Sequence, residues 1–88
     1  MTDAVLSTIT VRVLLFASYA EALGLESLQL SLREPATISD VLAHLRSLPG
    51  GDRLPAKPLC ALNLSQADPA AVLSPGDELA ILPPLAGG

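Results

Sequence analysis

Near its start the chain alternates between apolar and polar positions. In "TITVRVLLF", residues 8–16, Ile9, Val11, Val13 and Leu15 fall on one side, with Thr8, Thr10 and Arg12 on the other. This period-two, β-branched pattern predicts a strand with one buried face. Leu14 and Phe16 interrupt the polar side, so the end of the strand is apolar on both faces. "ASYAEAL" predicts a short helix closed by Gly24, a residue suited to the left-handed conformation at a helix end. "ESLQLSLR", 26–33, alternates again, with Leu28, Leu30 and Leu32 sharing a face. Two strands joined by so short a link predict an antiparallel pair.

The period then changes from two to helical. "TISD" reads as a capping box, with Thr37 at the cap and Asp40 three residues on, where a carboxylate also suits the helix dipole. Ile38, Val41, Leu42, Leu45 and Leu48 form one apolar stripe, and Pro49, Gly50 and Gly51 stop it. His44 lies on the polar side as a solvated residue. The loop "GGDRLPAKP" leads to a third strand, "LCALNL", 59–64. Turn signals follow at Asp68-Pro69 and Pro75-Gly76-Asp77. The last strand, "ELAIL", covers 78–82 and is stopped by Pro83, which has no N–H to donate to a ladder.

This order, with one long amphipathic helix to cover one sheet face, predicts a two-layer α+β fold. The first and last strands are the most apolar on both faces and belong together in the centre. If they run parallel, the sheet is mixed. The arrangement expected is the β-grasp, ubiquitin-like fold, with a domain over 1–82 and a flexible tail over 83–88.

Composition narrows the function. Eighty-eight residues make one domain, able to bury roughly 60–65% of its extended-chain surface. Half the residues are hydrophobic, yet Phe16 and Tyr19 are the only aromatics. The core is therefore aliphatic, and the surplus of apolar residues points to a partner surface. The longest uncharged apolar run near the N-terminus lies between Arg12 and Glu21, short of the ~20 residues that span a bilayer. No basic segment of a secretory signal precedes it, so the expectation is a soluble, cytoplasmic protein without a membrane partner. A net charge of −4 without a basic stripe argues against nucleic acid. Cys60 stands alone, which rules out an internal disulfide and cysteine metal clusters and fits a small core residue.

No arrangement of nucleophile and base, no phosphate loop and no metal-ligand spacing is present. Asp3, Asp40, Asp52, Asp68 and Asp77 fall at caps, turns or the N-terminus, where acids are usually structural. A self-contained enzyme is not expected, nor is a metal or a cofactor bound by this chain. What remains is "ILPPLAGG", 81–88. Pro83 and Pro84 stiffen the exit from the last strand. Residues 83–88, extended at ~3.4 Å each, reach roughly 20 Å. Gly87 and Gly88 lack a Cβ and suit a narrow channel in a partner. A carboxylate on Gly88 is sterically open but not electrophilic, so it requires activation, as by adenylation. Gly50-Gly51 has the same residues but no carboxylate.

"VLLFASYAEALG", "ALN" and "LSPGDELAILPPLAGG" together resemble the small subunit of molybdopterin synthase, the MoaD type. The resemblance runs from Val11 to Gly88. It implies a β-grasp sulfur carrier whose Gly88 is adenylated by a MoeB-type enzyme using ATP and magnesium. A sulfurtransferase then supplies sulfur to give a thiocarboxylate. The tail would enter a MoaE-type large subunit and donate sulfur to cyclic pyranopterin monophosphate, forming the molybdopterin dithiolene. The implied assembly is a heterotetramer in which this chain is not catalytic alone. Gly88 is the reacting end, Gly87, Pro83 and Pro84 thread the tail, and Phe16 and Leu82 are expected at the partner interface. Alternatives are a carrier for thiamine or cysteine biosynthesis, or a ubiquitin-like conjugating or interaction module. Two positions depart from many relatives of that family: Ala20 stands where an Arg is common, and Leu82 where an aromatic is common.

Overall fold

The computed structural model describes residues 7–84. The first strand, β1 (Thr8–Leu15), buries Ile9, Val11, Val13 and Leu15 and leaves Thr8, Thr10 and Arg12 exposed, as the alternation requires. A corner at Phe16 leads into α1 (Ala17–Leu23), which ends at Gly24 with φ 70°. The Gly24 N–H donates to the Ala20 carbonyl at 2.8 Å, satisfying an end-of-helix acceptor. β2 (Ser27–Arg33) returns antiparallel to β1, in a register that sets Val11 opposite Leu30.

α2 (Ile38–Arg46) begins at the Thr37–Asp40 capping box, where Asp40 Oδ2 accepts from the Thr37 N–H at 2.8 Å. The next free donors of that helix are also taken. The Ile38 and Ser39 N–H groups donate to the carbonyls of Ala71 and Pro69, so the 69–73 loop closes the helix end that would otherwise be unsatisfied. Ile38, Val41, Leu42 and Leu45 are buried as one stripe. They pack with Val11, Val13, Leu79 and Ile81 in a continuous aliphatic core on one face of the sheet. The helix ends at Arg46, and Leu48 lies past its end, packed against the core from outside the helix.

The loop from Pro49 contains a single 3-10 turn, Gly51–Arg53, and buries Leu54. β3 (Leu59–Leu62) is shorter than the 59–64 strand expected. Asn63 (φ 51°) and Leu64 (φ 75°) turn through the left-handed region as a two-residue hairpin. They reverse the chain into β4 (Ser65–Gln66), a strand too brief for alternation to reveal. β5 (Glu78–Leu82) lies parallel to β1 and antiparallel to β3. The sheet order is β2-β1-β5-β3-β4, with first and last strands adjacent in the centre, and the fold is the mixed-sheet β-grasp. β1 stops at Leu15 rather than Phe16, because the chain leaves the ladder to turn into α1.

Candidate functional site

In β5 the buried residues are Leu79 and Ile81, so Glu78, Ala80 and Leu82 face away from α2. The register carries this parity across the sheet. Ala80 is set beside Leu14 of β1 and Ala61 of β3, and Leu82 is opposite Leu59. The outer face is thus apolar at the end of β5 and polar at its start, where Arg12 neighbours Glu78.

The corner after β1 completes the apolar end. Phe16 is extended and 43% exposed, and Ala17 follows at φ 50°. A left-handed alanine is strained, and here it turns the chain while leaving the Phe16 ring on the surface. Phe16, Ala17, Leu59, Leu82, Pro83 and Pro84 line one groove. Phe16 also borders a second groove, shared with Leu14, Ala20 and Glu26. Phe16 and Leu82, which sequence parity assigns to the outer surface, are therefore brought together, with Pro83 and Pro84 at the point where the chain leaves the sheet. Gly87 and Gly88 lie outside the described residues. Leu59, 44% exposed, is a further wall of the groove that the expected interface pair does not include. The alternation in "LCAL" carries the signal, since a buried Cys60 sends Leu59 to the opposite face. The departures at Ala20 and Leu82 both fall on these groove walls.

The start of β5 is held by a polar clamp. Ser74-Pro75-Gly76-Asp77 is a turn with Gly76 at φ 83°, the position where a type II turn requires glycine. Asp77 Oδ2 accepts from the Ser74 N–H at 2.7 Å, and Asp77 Oδ1 accepts from Asn63 Nδ2 at 2.9 Å. Asn63 Oδ1 in turn accepts from the Glu78 N–H at 2.9 Å. These bonds tie the β3–β4 turn to β5 and fix the strand from which the tail departs.

Other reactive residue types are accounted for structurally. Cys60 is buried, its Sγ donating to the Pro58 carbonyl at 3.5 Å, and burial pushes the thiol pKa up. Burial, with Cys60 nearby, raises the Tyr19 phenol as well. His44 is exposed on α2. Asp40 and Asp77 serve the cap and the turn already described, and Asp68 Oδ1 accepts from the Ala70 N–H at 2.8 Å. Gly50 and Gly51 have a packing role. A Cβ would come within 1.9 Å of the Ala22 carbonyl oxygen at Gly50, and within 2.0 Å of the Leu45 carbonyl oxygen at Gly51. Among the described residues no cluster of His, Cys, Asp or Glu is placed to hold a metal, and no helix is long and apolar enough to cross a membrane.

The fold has counterparts among known proteins. The ThiS family model matches residues 13–88. The molybdopterin synthase sulfur carrier subunit of Arabidopsis thaliana is 32% identical over 83 residues, covering 93% of this chain and 86% of that protein. The crystal structure of SAMP1 from Haloferax volcanii superposes with a TM-score of 0.76 at 27% identity, covering 90% of this chain and 99% of the other. Subunit 1 in a complex of subunits 1 and 2 of molybdopterin-converting factor from Helicobacter pylori shares the fold, with a TM-score of 0.68 at 23% identity over 91% of this chain and 100% of that one. The match from β1 to the last residue places the chain in the ThiS family, as a homologue of the molybdopterin synthase sulfur carrier subunit.

Proposed function

We propose that this protein is the sulfur-donating small subunit of a molybdopterin synthase, and that the carboxylate of Gly88 is its reacting group. The observation that carries the reading is the groove at the end of β5. There the chain leaves the sheet through Pro83 and Pro84 beside Phe16, Leu59 and Leu82. A partner seated on this apolar end receives the tail directly, and residues 85–88 then have roughly 14 Å of reach at ~3.4 Å per residue. The Arabidopsis relative and the two-subunit complex from Helicobacter pylori support the molybdenum pathway over the thiamine and cysteine alternatives.

The Gly88 carboxylate attacks the α-phosphorus of ATP in a MoeB-type enzyme, releasing pyrophosphate and forming an acyl adenylate. A sulfurtransferase persulfide attacks the acyl carbon and AMP leaves. A thiol then reduces the acyl disulfide, leaving a thiocarboxylate on Gly88 and a disulfide on the reductant. Inside a MoaE-type large subunit the thiocarboxylate sulfur attacks a carbon of the pterin precursor and displaces an oxygen substituent, giving a thioester. Water then cleaves the acyl–sulfur bond, leaving the sulfur on the pterin and returning the carboxylate. This chain supplies the sulfur and the large subunit supplies catalysis, as a heterotetramer in the cytoplasm. Gly87 has no side chain to obstruct a channel.

The test is intact-mass spectrometry after incubation with the activating enzyme, ATP and a sulfur donor. One oxygen replaced by sulfur at Gly88 is the expected result. An unchanged mass with a competent enzyme rejects the reading. The similarity to SAMP1 gives the conjugating alternative a specific footing, and adducts linked to lysines of other proteins are the result that favours it.

A further inference from the structure

β2 borders the sheet beside β1, and among the described residues no strand lies beyond it. Its hydrogen-bond phase is fixed at both ends. The Leu15 N–H donates to the Glu26 carbonyl and the Glu34 N–H to the Ser7 carbonyl, each at 2.9 Å. Both pairs continue the register that joins Val11 to Leu30, and in an antiparallel ladder bonded pairs alternate along the strand. The even-numbered residues of β2 therefore direct their backbone groups to β1. The N–H and C=O of Ser27, Gln29, Ser31 and Arg33 point outward, and their side chains are exposed on the sheet face opposite the buried Leu30.

This border lacks the features that usually stop one sheet from pairing with another. The register with β1 runs from Thr8↔Arg33 to Leu14↔Ser27 without a bulge. No proline falls between Glu26 and Glu34, and Arg33 is the only charged residue of the strand. β4, at the opposite border, has two residues. β2 has seven, a length of about 23 Å at ~3.3 Å per residue.

The outward groups match those of a second copy. Laid antiparallel about a two-fold axis at Leu30, the strand sets Ser27 opposite Arg33 and Gln29 opposite Ser31, in both directions. Every outward N–H then meets an outward C=O, in four pairs of two bonds each. A shift by two residues leaves one outward residue of each strand unmatched, and a shift by one sets outward groups against inward ones. On the α2 side Leu30 meets its symmetry mate and Leu28 meets Leu32. Leu28 and Leu32 are only half-buried in the single chain, so pairing also covers apolar surface. Just beyond each end Glu26 stands opposite Glu34, a like-charge contact that weakens the association.

The geometry points to a two-fold dimer of the free protein, in which β2 pairs with β2 of a second copy and the two five-stranded sheets become one. β1 lies between β2 and β5, so the strand that leads to the tail is not at the junction. The dimer does not depend on the sulfur chemistry proposed above. One strand edge is narrow beside the interface of a permanent dimer, so monomer and dimer should exchange.

The test is sedimentation of the full-length chain at concentrations up to about 1 mM, with amide hydrogen exchange at low and high concentration. The parent should show a concentration-dependent monomer–dimer equilibrium. At high concentration exchange should slow about threefold or more at Ser27, Gln29, Ser31 and Arg33. Leu28, Leu30 and Leu32, bonded to β1 in either state, should not change. Ser31→Pro removes an outward N–H that β1 does not use, and should weaken the dimer about tenfold or more. Gln29→Lys with Ser31→Lys sets like charges opposite each other and should keep the chain monomeric. An equal mixture with the Gln29→Glu, Ser31→Glu variant should dimerise again. A parent that stays monomeric throughout overturns the inference, and so does a dimer that both Ser31→Pro and the lysine variant leave intact. Sulfur transfer is read separately by mass, so either failure leaves the functional reading standing.

Discussion

Leu59 and Leu82 face each other on the last rung of the β3–β5 ladder, and both turn their side chains to the sheet face that α2 does not cover. The exposed Phe16 ring borders the same groove. Three large apolar side chains converging where the chain leaves the sheet make a desolvated anchor for a partner, and aromatic residues often dominate such surfaces. Phe16→Asp and Leu82→Glu should each weaken binding to the large subunit at least tenfold, with an unfolding free energy lowered by about 1 kcal/mol or less. Calorimetric titration and urea denaturation separate the two effects. Unchanged affinity in both variants would remove the groove from the interface.

The glycines of this chain should respond unequally to the same substitution. At Gly51 a new Cβ meets the Leu45 carbonyl oxygen, and at Gly50 it meets that of Ala22. Neither obstacle is a flexible side-chain tip. Gly50 also sits at φ 87°. Each alanine variant should cost about 2–4 kcal/mol by overpacking and backbone strain. Gly76 has open space around its Cβ position and only the φ penalty, so Gly76→Ala should cost about 1 kcal/mol. Chemical denaturation gives this ordering directly.

The Asn63–Asp77 clamp predicts coupling rather than a simple sum. Asn63 gives its Nδ2 hydrogen to Asp77 and takes the Glu78 N–H on Oδ1, while Asp77 also receives the Ser74 N–H. Asp77→Ala should cost about 1–2 kcal/mol, as loss of a capping carboxylate commonly does. Asn63→Ala should cost about 1 kcal/mol, and the double variant should fall short of the sum by about 0.5 kcal/mol or more. Strict additivity would mean that the turns are held independently.

Sequence patterning reveals those parts of this fold that are long enough to show a period. Ile9 to Leu15 and Ile38 to Leu45 repeat often enough to identify a half-buried strand and an amphipathic helix, and the apolar character of β1 and β5 on both faces gives their central pairing. β4 has two residues, both exposed, and no period can be read from two. Leu64 reads as the end of a strand because it is a leucine, yet it is 94% exposed at φ 75°. The two-residue turn between the paired Leu62 and Ser65 overrides residue preference there. At the groove, Phe16 and Leu82 follow from parity within single strands. Leu59 joins them through the register between β3 and β5, which is a property of the folded sheet.

The fall in burial at the end of β5 leads to a final prediction. Leu79 and Ile81 are fully buried in the sheet centre, whereas Leu82 and Pro83 are half-buried and Pro84 is exposed. Burial thus declines from Ile81 to Pro84 as β5 ends. Deleting Gly88, or adding one residue after it, should leave the unfolding free energy within about 0.5 kcal/mol of the parent. Sulfur transfer is expected to be lost in both. Deletion leaves Ala86-Gly87 at the end and moves the carboxylate back by ~3.4 Å, beyond the tolerance of a group that must reach a reacting centre. The extension displaces it forward and puts a side chain where Gly88 had none. Gly87→Ala keeps the carboxylate in register and adds one methyl, so it should raise KM with the large subunit and spare stability. Single-turnover sulfur transfer to the pterin precursor, followed by mass spectrometry of the carrier, checks all three. Transfer at the parent rate from the deletion variant would show that the reacting group is not the carboxylate of Gly88.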